Sequence, residues 1–243
     1  MMTIGYGLTD IGCMRKRNED ALGIFPEINL FVVADGMGGH KGGDVASKMA
    51  IETLYGAVKN PPWAATGDSL IHAIACANKA VYEASIKDVA LAGMGTTVVA
   101  LLALPTAVVI GFVGDSRAYL FQNNTLTQLT QDHSVVNEYV RQGLLTPIEA
   151  KSHPARNVIS RAVGIARAVE AETIARTPAA GDLYLLCSDG LTNMVGQEEI
   201  QEILMSFGGK ISLIAGELIE RAKANGGKDN ITVALVAYQD RIP

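Results

Sequence analysis

The chain has 243 residues, of which 49% are hydrophobic, so a single domain over residues 1–243 with one sizeable core is the simplest expectation. The formal net charge is −5, and no block of lysine and arginine indicates binding to nucleic acid or to an anionic membrane. The 3 cysteines, Cys13, Cys76 and Cys187, form no CxxC pair, and such a sparse set favours a reducing cytoplasm.

Short β-type runs dominate the start of the chain, and two helical patterns follow them. The β-type runs cover 4–10, 21–25 and 30–35. Apolar residues at near four-residue spacing predict a helix from Val45 to Val58 and another from Leu70 to Tyr82.

The longest apolar tract begins at Thr96 and is divided by Pro105 and Thr106. It therefore predicts two buried strands joined by a turn rather than a membrane span. Strands at 117–122 and 125–130 follow, with Asn123-Asn124 as the predicted hairpin turn between them.

From Asp132 to Val163 the pattern becomes polar and helical, and we interpret 132–163 as a helical flap inserted between strands. Within it, Thr146, Pro147 and Glu149 have the spacing of a helix start with a capping box. Beyond the flap, strand patterns return at 170–176, 182–189 and 231–238, and helix patterns lie at 198–207 and 211–225.

Strands outnumber helices in this order, and the helices come in pairs between groups of strands. Such an arrangement favours an α+β fold, with antiparallel sheets covered by helices, over a doubly wound parallel sheet.

Aspartates recur at the ends of the apolar strands. Asp35, Asp115 and Asp189 each end one, and Asp229 stands just before the last strand. Because antiparallel strands place the end of one beside the start of the next, these side chains can gather at one rim, which Glu19-Asp20 can also reach.

Two like charges about 4 Å apart repel by roughly 4 kcal/mol at an effective dielectric near 20, and a divalent cation would reverse the sign of that interaction. All-oxygen ligands suit magnesium or manganese, whereas zinc would need histidine or cysteine spacing that the sequence lacks.

Plainer interpretations compete with a metal site. Any one aspartate followed by glycine can simply begin a turn, and four together favour the metal. A phosphate-binding P-loop would need serine or threonine where Asp229 follows Gly227-Lys228. A dinucleotide fingerprint that starts at Gly36 would need glycine at Lys41.

Seven short motifs occur in a fixed order along nearly the whole chain. In that order they resemble the metal-dependent protein serine/threonine phosphatases, the PP2C-like family, and the short length of the chain and its DGMGGH form resemble the bacterial branch. The motifs are RKRNED (15–20), VADGMGGHKGG (33–43), GTT (95–97), VGDSRAY (113–119), QDHS (131–134), CSDGL (187–191) and GGKDNITV (226–233).

The resemblance implies a central antiparallel β-sandwich flanked on both faces by pairs of helices, with a binuclear manganese or magnesium site at one end. Carried over by motif, Asp35 bridges two ions, the Gly36 carbonyl binds one, and Asp189 and Asp229 bind the other. Glu19 contributes through water.

Further roles come from the same resemblance. Asp115, together with Asp189, matches a weaker third metal site. Arg15 matches a phosphate-binding arginine, although without the motif its basic neighbours would favour a solvated charge. Asn230 is expected to orient Asp229.

One position departs from many relatives, which have histidine directly after the Asp-Gly pair, often proposed as the general acid. Here that place is Met37, and the nearest histidine is His40. His40 or a metal-bound water could take the role, and a loop histidine without a catalytic duty is an equal alternative. His133 and His153 lie in or near the flap and could touch substrate, whereas His72 lies on a predicted helix.

The resemblance implies a monomeric cytoplasmic phosphatase that hydrolyses phosphoserine and phosphothreonine with a metal-activated water and opposes a bacterial serine/threonine kinase. The first alternative is a catalytically weak phosphatase-like module that binds phosphoproteins. The second is a metal-dependent nuclease, against which the acidic charge argues.

Overall fold

The structure is a computed structural model that describes residues 2–38, 42–60 and 68–239. These ranges contain eleven strands and seven α-helices. The strands are β1 (Met2–Asp10), β2 (Asp20–Phe25), β3 (Leu30–Met37), β4 (Gly95–Thr96), β5 (Val98–Ala103), β6 (Val108–Val113), β7 (Arg117–Gln122), β8 (Thr125–Gln128), β9 (Glu172–Arg176), β10 (Leu183–Cys187) and β11 (Ile231–Gln239). The helices are α1 (Gly43–Lys59), α2 (Asp68–Lys87), α3 (Val135–Arg141), α4 (Pro147–Ser152), α5 (Asp189–Thr192), α6 (Gln197–Ser206) and α7 (Ile211–Ala224).

Two antiparallel sheets form the centre of the molecule. One has the strand order β1-β11-β10-β7-β8 and the other β2-β3-β5-β6-β9, with β4 paired to β3. Every pairing between these strands is antiparallel. The predicted α+β sandwich is therefore confirmed.

Three apolar layers hold this arrangement together. Aromatic and aliphatic side chains such as Phe31, Phe112 and Tyr184 fill the space between the sheets. Helices α1 and α2 cover the outer face of the sheet that contains β3 and β5, and α6 and α7 cover the other. Cys187 is fully buried in the second of these outer layers, where it packs as a small apolar residue.

Local signals in the sequence form the expected turns. Asn123 and Asn124 have φ values of 51° and 59°, the left-handed pair that a tight two-residue hairpin requires. Thr146 and Glu149 form the predicted capping box at the start of α4. None of the helices in the described ranges has both the length and the apolar character needed to cross a bilayer.

Strand β3 differs from its prediction in a way that matters for the site. The sequence pattern placed the strand end at Asp35, but β3 continues to Met37 because Gly36 and Met37 pair with the two-residue strand β4. Asp35 therefore lies inside a paired strand rather than at the start of a loop.

Candidate metal centre and substrate cleft

The ends of both sheets open into one cleft of about 1020 Å³. It brings together all five carboxylates that the sequence singled out as metal ligands, three of which lie on loops or turns. They are Glu19, Asp35, Asp115, Asp189 and Asp229.

Asp35 is held by its backbone on both sides. Its N–H donates to Thr97 Oγ1 at 3.0 Å, and its carbonyl accepts from the Thr97 N–H at 2.9 Å and from Thr96 Oγ1 at 2.9 Å. Burial, followed by the charges of Asp20, Asp189, Asp115 and Asp229, raises the pKa of Asp35 well above its usual range.

Glycines next to Asp35 allow a close backbone approach. A Cβ at Gly36 would collide with the Gly43 carbonyl, and a Cβ at Gly43 would lie 2.8 Å from Glu19 Cδ. Strand β3, the start of α1 and the Glu19 side chain can therefore meet in one place only because both positions are glycine. Burial also raises the pKa of Glu19.

Asp189 and Asp229 approach the cleft from the other sheet. Asp189 opens α5, and its Oδ2 accepts from Asn193 Nδ2 at 2.9 Å, whereas its Oδ1 is buried without a hydrogen-bond partner. Burial, and after it the charge of Asp229, raises the pKa of Asp189. Such an orphaned buried oxygen is costly in an apoprotein and natural in a metal ligand.

Asp20 does not line the cleft but lies beneath it, 5% exposed. Its Oδ2 accepts from Ser188 Oγ at 2.8 Å and from Thr232 Oγ1 at 2.6 Å. Asp20 is the register partner of Asp35, whereas Thr232 lies in β11 of the other sheet and Ser188 directly follows β10 of that sheet. This carboxylate therefore ties the two sheets together directly under the cleft. Burial raises its pKa to about 6.

Asp115 lies in the turn between β6 and β7. Its neighbour Ser116 is hydrogen-bonded through Oγ to Thr97 Oγ1 at 2.7 Å, which connects the Asp115 turn with the backbone of Asp35. Burial, followed by the charges of Asp189 and Asp132, raises the pKa of Asp115 to about 7.

Arg15, the expected phosphate ligand, contacts a predicted metal ligand in this structure. Its Nη2 donates to Asp229 Oδ2 at 2.6 Å, and Asp229 Oδ1 accepts from the Asn230 N–H at 2.8 Å. The side chain of Asn230 binds elsewhere: it accepts from the Glu19 N–H at 2.8 Å and donates to the carbonyls of Ile11 and Arg17. Asn230 thus orders the loop that carries Arg15 and Glu19, and only its backbone touches Asp229.

Cationic side chains line the same cleft as its acidic floor, by which we mean the carboxylates of Glu19, Asp35, Asp115, Asp189 and Asp229. Arg156 reaches the cleft from the flap, together with Asn157 and Ile159, a contribution that sequence reasoning left unassigned within 132–163. The positively charged residues among the lining are Arg15, Lys16, Arg17, Arg156 and Lys228.

The four histidines lie in different places relative to the cleft. His40 lies outside the described residues, so its assignment stays a prediction. His133 is 2% exposed and does not line the cleft, so the expectation that it could touch substrate is wrong. His153 stands edge-on to Tyr139 in the flap, and His72 Nε2 lies 3.2 Å from Cys76 Sγ on α2.

The cleft suits a hard divalent cation. Its donors are carboxylate and backbone oxygens, which manganese and magnesium prefer, and it holds the orphaned Oδ1 of Asp189. In the ranges that the structure describes, no three histidine, cysteine, aspartate or glutamate side chains already form a closed ligand cluster.

The chain is similar to known proteins in both sequence and structure. The family model described as Protein phosphatase 2C matches residues 15–222. The chain is 44% identical over 235 residues to the serine/threonine phosphatase stp of Listeria welshimeri, covering 94% of this chain and 93% of that one. The crystal structure of the Mycobacterium tuberculosis serine/threonine phosphatase PstP/Ppp superposes with a TM-score of 0.91 at 37% identity, over 99% of this chain and 100% of that one.

A further solved structure bears on the metal. It is the catalytic domain of the serine/threonine protein phosphatase PstP in complex with two manganese ions. It matches with a TM-score of 0.87 at 36% identity, over 98% of this chain and 99% of that one.

The raised pKa values predict that manganese binding depends on pH. The folded, metal-free chain holds protons on Asp20 up to about pH 6 and on Asp115 up to about pH 7. An unfolded carboxyl releases its proton near pH 4, so the stability of the metal-free fold should fall as the pH rises from about 4 to about 7. Across the same window Mn²⁺ should bind more tightly, because fewer protons must leave the carboxylates.

Calorimetric titration of Mn²⁺ at several pH values, in two buffers of different ionisation enthalpy, measures both the affinity and the protons released. Asp115→Asn should reduce the number released near pH 6. An affinity and proton count that do not change between pH 5 and about pH 7.5 would contradict the prediction, since the raised pKa values require proton release on binding.

Proposed function

Because the chain belongs to the protein phosphatase 2C family and is a protein serine/threonine phosphatase, we propose that it opposes a cognate serine/threonine kinase. On this proposal the substrates are phosphoserine and phosphothreonine in proteins, and the cofactors are two Mn²⁺ or Mg²⁺ ions. The observation that carries it is the cleft itself, in which five partly buried carboxylates and five cationic side chains line the same space. Such a floor requires a cation, and such a rim suits a phosphate dianion.

The carboxylates of the floor supply ligands for two main metal positions and one weaker position. We assign Asp35 to both ions, the Gly36 carbonyl to one, and Asp189 and Asp229 to the other, with Glu19 acting through water. Asp115 and Asp189 form a third, weaker position. When bound, divalent ions neutralise phosphate charge and lower the pKa of water.

Arg15 is assigned to the substrate phosphate. Its guanidinium is half exposed at the mouth of the cleft and is already directed towards the floor by Asp229. Once Asp229 serves a cation, Arg15 loses this partner, and the phosphate oxygens are the natural acceptors for its fork of N–H donors.

Residues 132–163 supply the substrate surface on this proposal. Arg156, Asn157 and Ile159 bring a cation, an amide and an apolar side chain to the cleft wall, which suits a peptide that surrounds the phosphorylated residue. We propose a monomeric single-domain enzyme of the cytoplasm, a compartment that agrees with the three free thiols.

The assay that tests the proposed function compares hydrolysis of p-nitrophenyl phosphate and a phosphothreonine peptide with and without metal. Chelator should abolish both activities, and added Mn²⁺ should restore them, because the carboxylate floor cannot bind phosphate without cations. Asp35→Asn and Asp229→Asn should remain folded and inactive. Glu202→Gln, an exposed carboxylate on α6, is the matched control and should retain full activity. Undiminished hydrolysis in chelator-treated protein would overturn the proposal.

Arg15→Ala separates phosphate binding from metal binding. One charge-assisted contact contributes about 1.5–3 kcal/mol, so kcat/KM should fall by about 10- to 150-fold. Manganese affinity should stay constant or rise by at most about fivefold, because an exposed ion pair with Asp229 contributes little.

Arg167→Ala is the control for this variant, since Arg167 is exposed and does not line the cleft. Steady-state kinetics and manganese calorimetry on both variants provide the comparison. If manganese binding weakened in Arg15→Ala, the residue would support the metal floor rather than the substrate.

A further inference from the structure

The buried histidine at the base of the flap has contacts that the catalytic assignments leave unexplained. His133 immediately follows Asp132 and is 2% exposed. Its ring stacks on Phe112 of β6 with centroids 5.2 Å apart and an interplanar angle of 23°. The ring is therefore fixed between the flap and the strand that leads to Asp115.

Three hydrogen bonds converge on this residue. The His133 N–H donates to the Gly114 carbonyl at 2.9 Å, and His133 Nδ1 accepts from the Gly114 N–H at 3.1 Å. The His133 carbonyl accepts from the Ser160 N–H at 2.8 Å. One residue thus connects the beginning and the end of the flap to the residue that precedes Asp115.

The hydrogen bonds also fix the tautomer of the ring. Because Nδ1 accepts from a backbone N–H, the proton of the neutral imidazole is on Nε2, which lies 3.1 Å from Glu172 Oε1. Burial lowers the pKa of His133, which keeps the ring neutral. Arg161 near the end of the flap donates to the same Glu172 oxygen at 3.1 Å.

Gly114 cannot relax easily if this support is lost. Its φ is +106°, and a Cβ there would lie 2.6 Å from Thr97 Cγ2, so the turn is both unusual in conformation and tightly packed. Without Nδ1, the buried Gly114 N–H would lose its acceptor, and the turn would have to shift to find another. Asp115 would move with it, because the two residues share a peptide bond.

We propose that His133 is a positioning residue that couples the flap to the Asp115 carboxylate. The His133 carbonyl is bonded to the backbone of the flap at Ser160. The His133 N–H and Nδ1 are bonded to the backbone of Gly114, in the turn that carries Asp115. Substrate contacts on the flap and metal contacts at Asp115 therefore influence each other through Gly114. The inference rests on the proposed function, since it takes Asp115 as part of the metal floor.

Two substitutions at His133 separate the Nδ1 acceptor from the rest of the ring. Asn places Oδ1 where Nδ1 stands and can accept from Gly114, whereas Gln reaches the Nε2 position and leaves the Gly114 N–H unpaired. His133→Gln should raise the Mn²⁺ concentration for half-maximal hydrolysis of p-nitrophenyl phosphate by about 10-fold, and His133→Asn should raise it by less than about threefold. His153→Gln is the control, because His153 is a flap histidine whose Nδ1 also accepts a backbone N–H, from Ala155 at 3.1 Å.

A double-mutant cycle tests the route through Asp115. In an Asp115→Asn background, His133→Gln should raise the Mn²⁺ requirement by no more than about twofold, because the group it positions is already disabled. A rise as large as in the wild-type background, or no rise in either, would overturn the inference. Wild-type protein that showed no metal-dependent hydrolysis would instead refute the proposed function, so the two failures are distinguishable.

Amide exchange gives a second measurement that needs no change at His133. Saturating Mn²⁺ should slow exchange of the Ser160 and Gly114 amides in wild-type protein and not in Asp115→Asn. If the Ser160 amide exchanged at the same rate with and without Mn²⁺ in wild-type protein, the coupling would not exist. This comparison remains decisive if His133→Gln does not fold.

Discussion

Repulsion among buried carboxylates is the constraint on which the rest of the structure depends. Each pair of like charges about 4 Å apart costs roughly 4 kcal/mol at an effective dielectric near 20. Apart from the Arg15 guanidinium on Asp229, the protein groups that bond to these carboxylates include neutral donors: hydroxyls on Asp20, an amide on Asp189 and a backbone N–H on Asp229. The cations that line the cleft are Arg15, Lys16, Arg17, Arg156 and Lys228, and of these Arg15 bonds to the floor, through Asp229. On the proposed function, bound metal would neutralise the remaining charge of the floor.

The floor also exists only when both halves of the sandwich have assembled. Asp35 belongs to the sheet that contains β3, whereas Asp189 and Asp229 flank β10 and β11 of the other sheet. Asp20 spans this division, since it pairs with Asp35 in one sheet and accepts from Ser188 and Thr232 in the other. A carboxylate that helps to set the distance between the sheets therefore also helps to set the distance between the ligands.

The sequence supplied the elements and most of the floor, and its limits have physical causes. Apolar runs and cap residues predicted the strands, the long helices and the Asn123-Asn124 turn, because those features depend on local periodicity. The pattern missed β4 and the continuation of β3, since a strand of two residues has no period to detect. Residues that are adjacent in sequence can also differ in exposure to the cleft: Glu19 lines the cleft, whereas Asp20 is buried beneath it.

Histidines show the same limit more clearly. His133 and His153 both lie near the flap, and no pattern in the sequence indicates that one is a buried connection and the other a half-buried flap residue. Burial depends on which strand the flap folds against, and that is a property of the tertiary structure. The resemblance to a known family located the QDHS motif without saying what its histidine contacts.

The position of Arg15 adds an order to the events that the cleft can support. While its guanidinium is bonded to Asp229, the same contact occupies a proposed ligand of the metal and the proposed donor for the phosphate. A metal ion bound at Asp229 would break this pair at small cost, because exposed ion pairs contribute less than about 1 kcal/mol. Arg15 would then be free to donate to an anion over the neutralised floor. On these assignments phosphate binding would depend on the metal in two ways, through the charge of the floor and through the release of Arg15 from Asp229, and metal would bind before substrate.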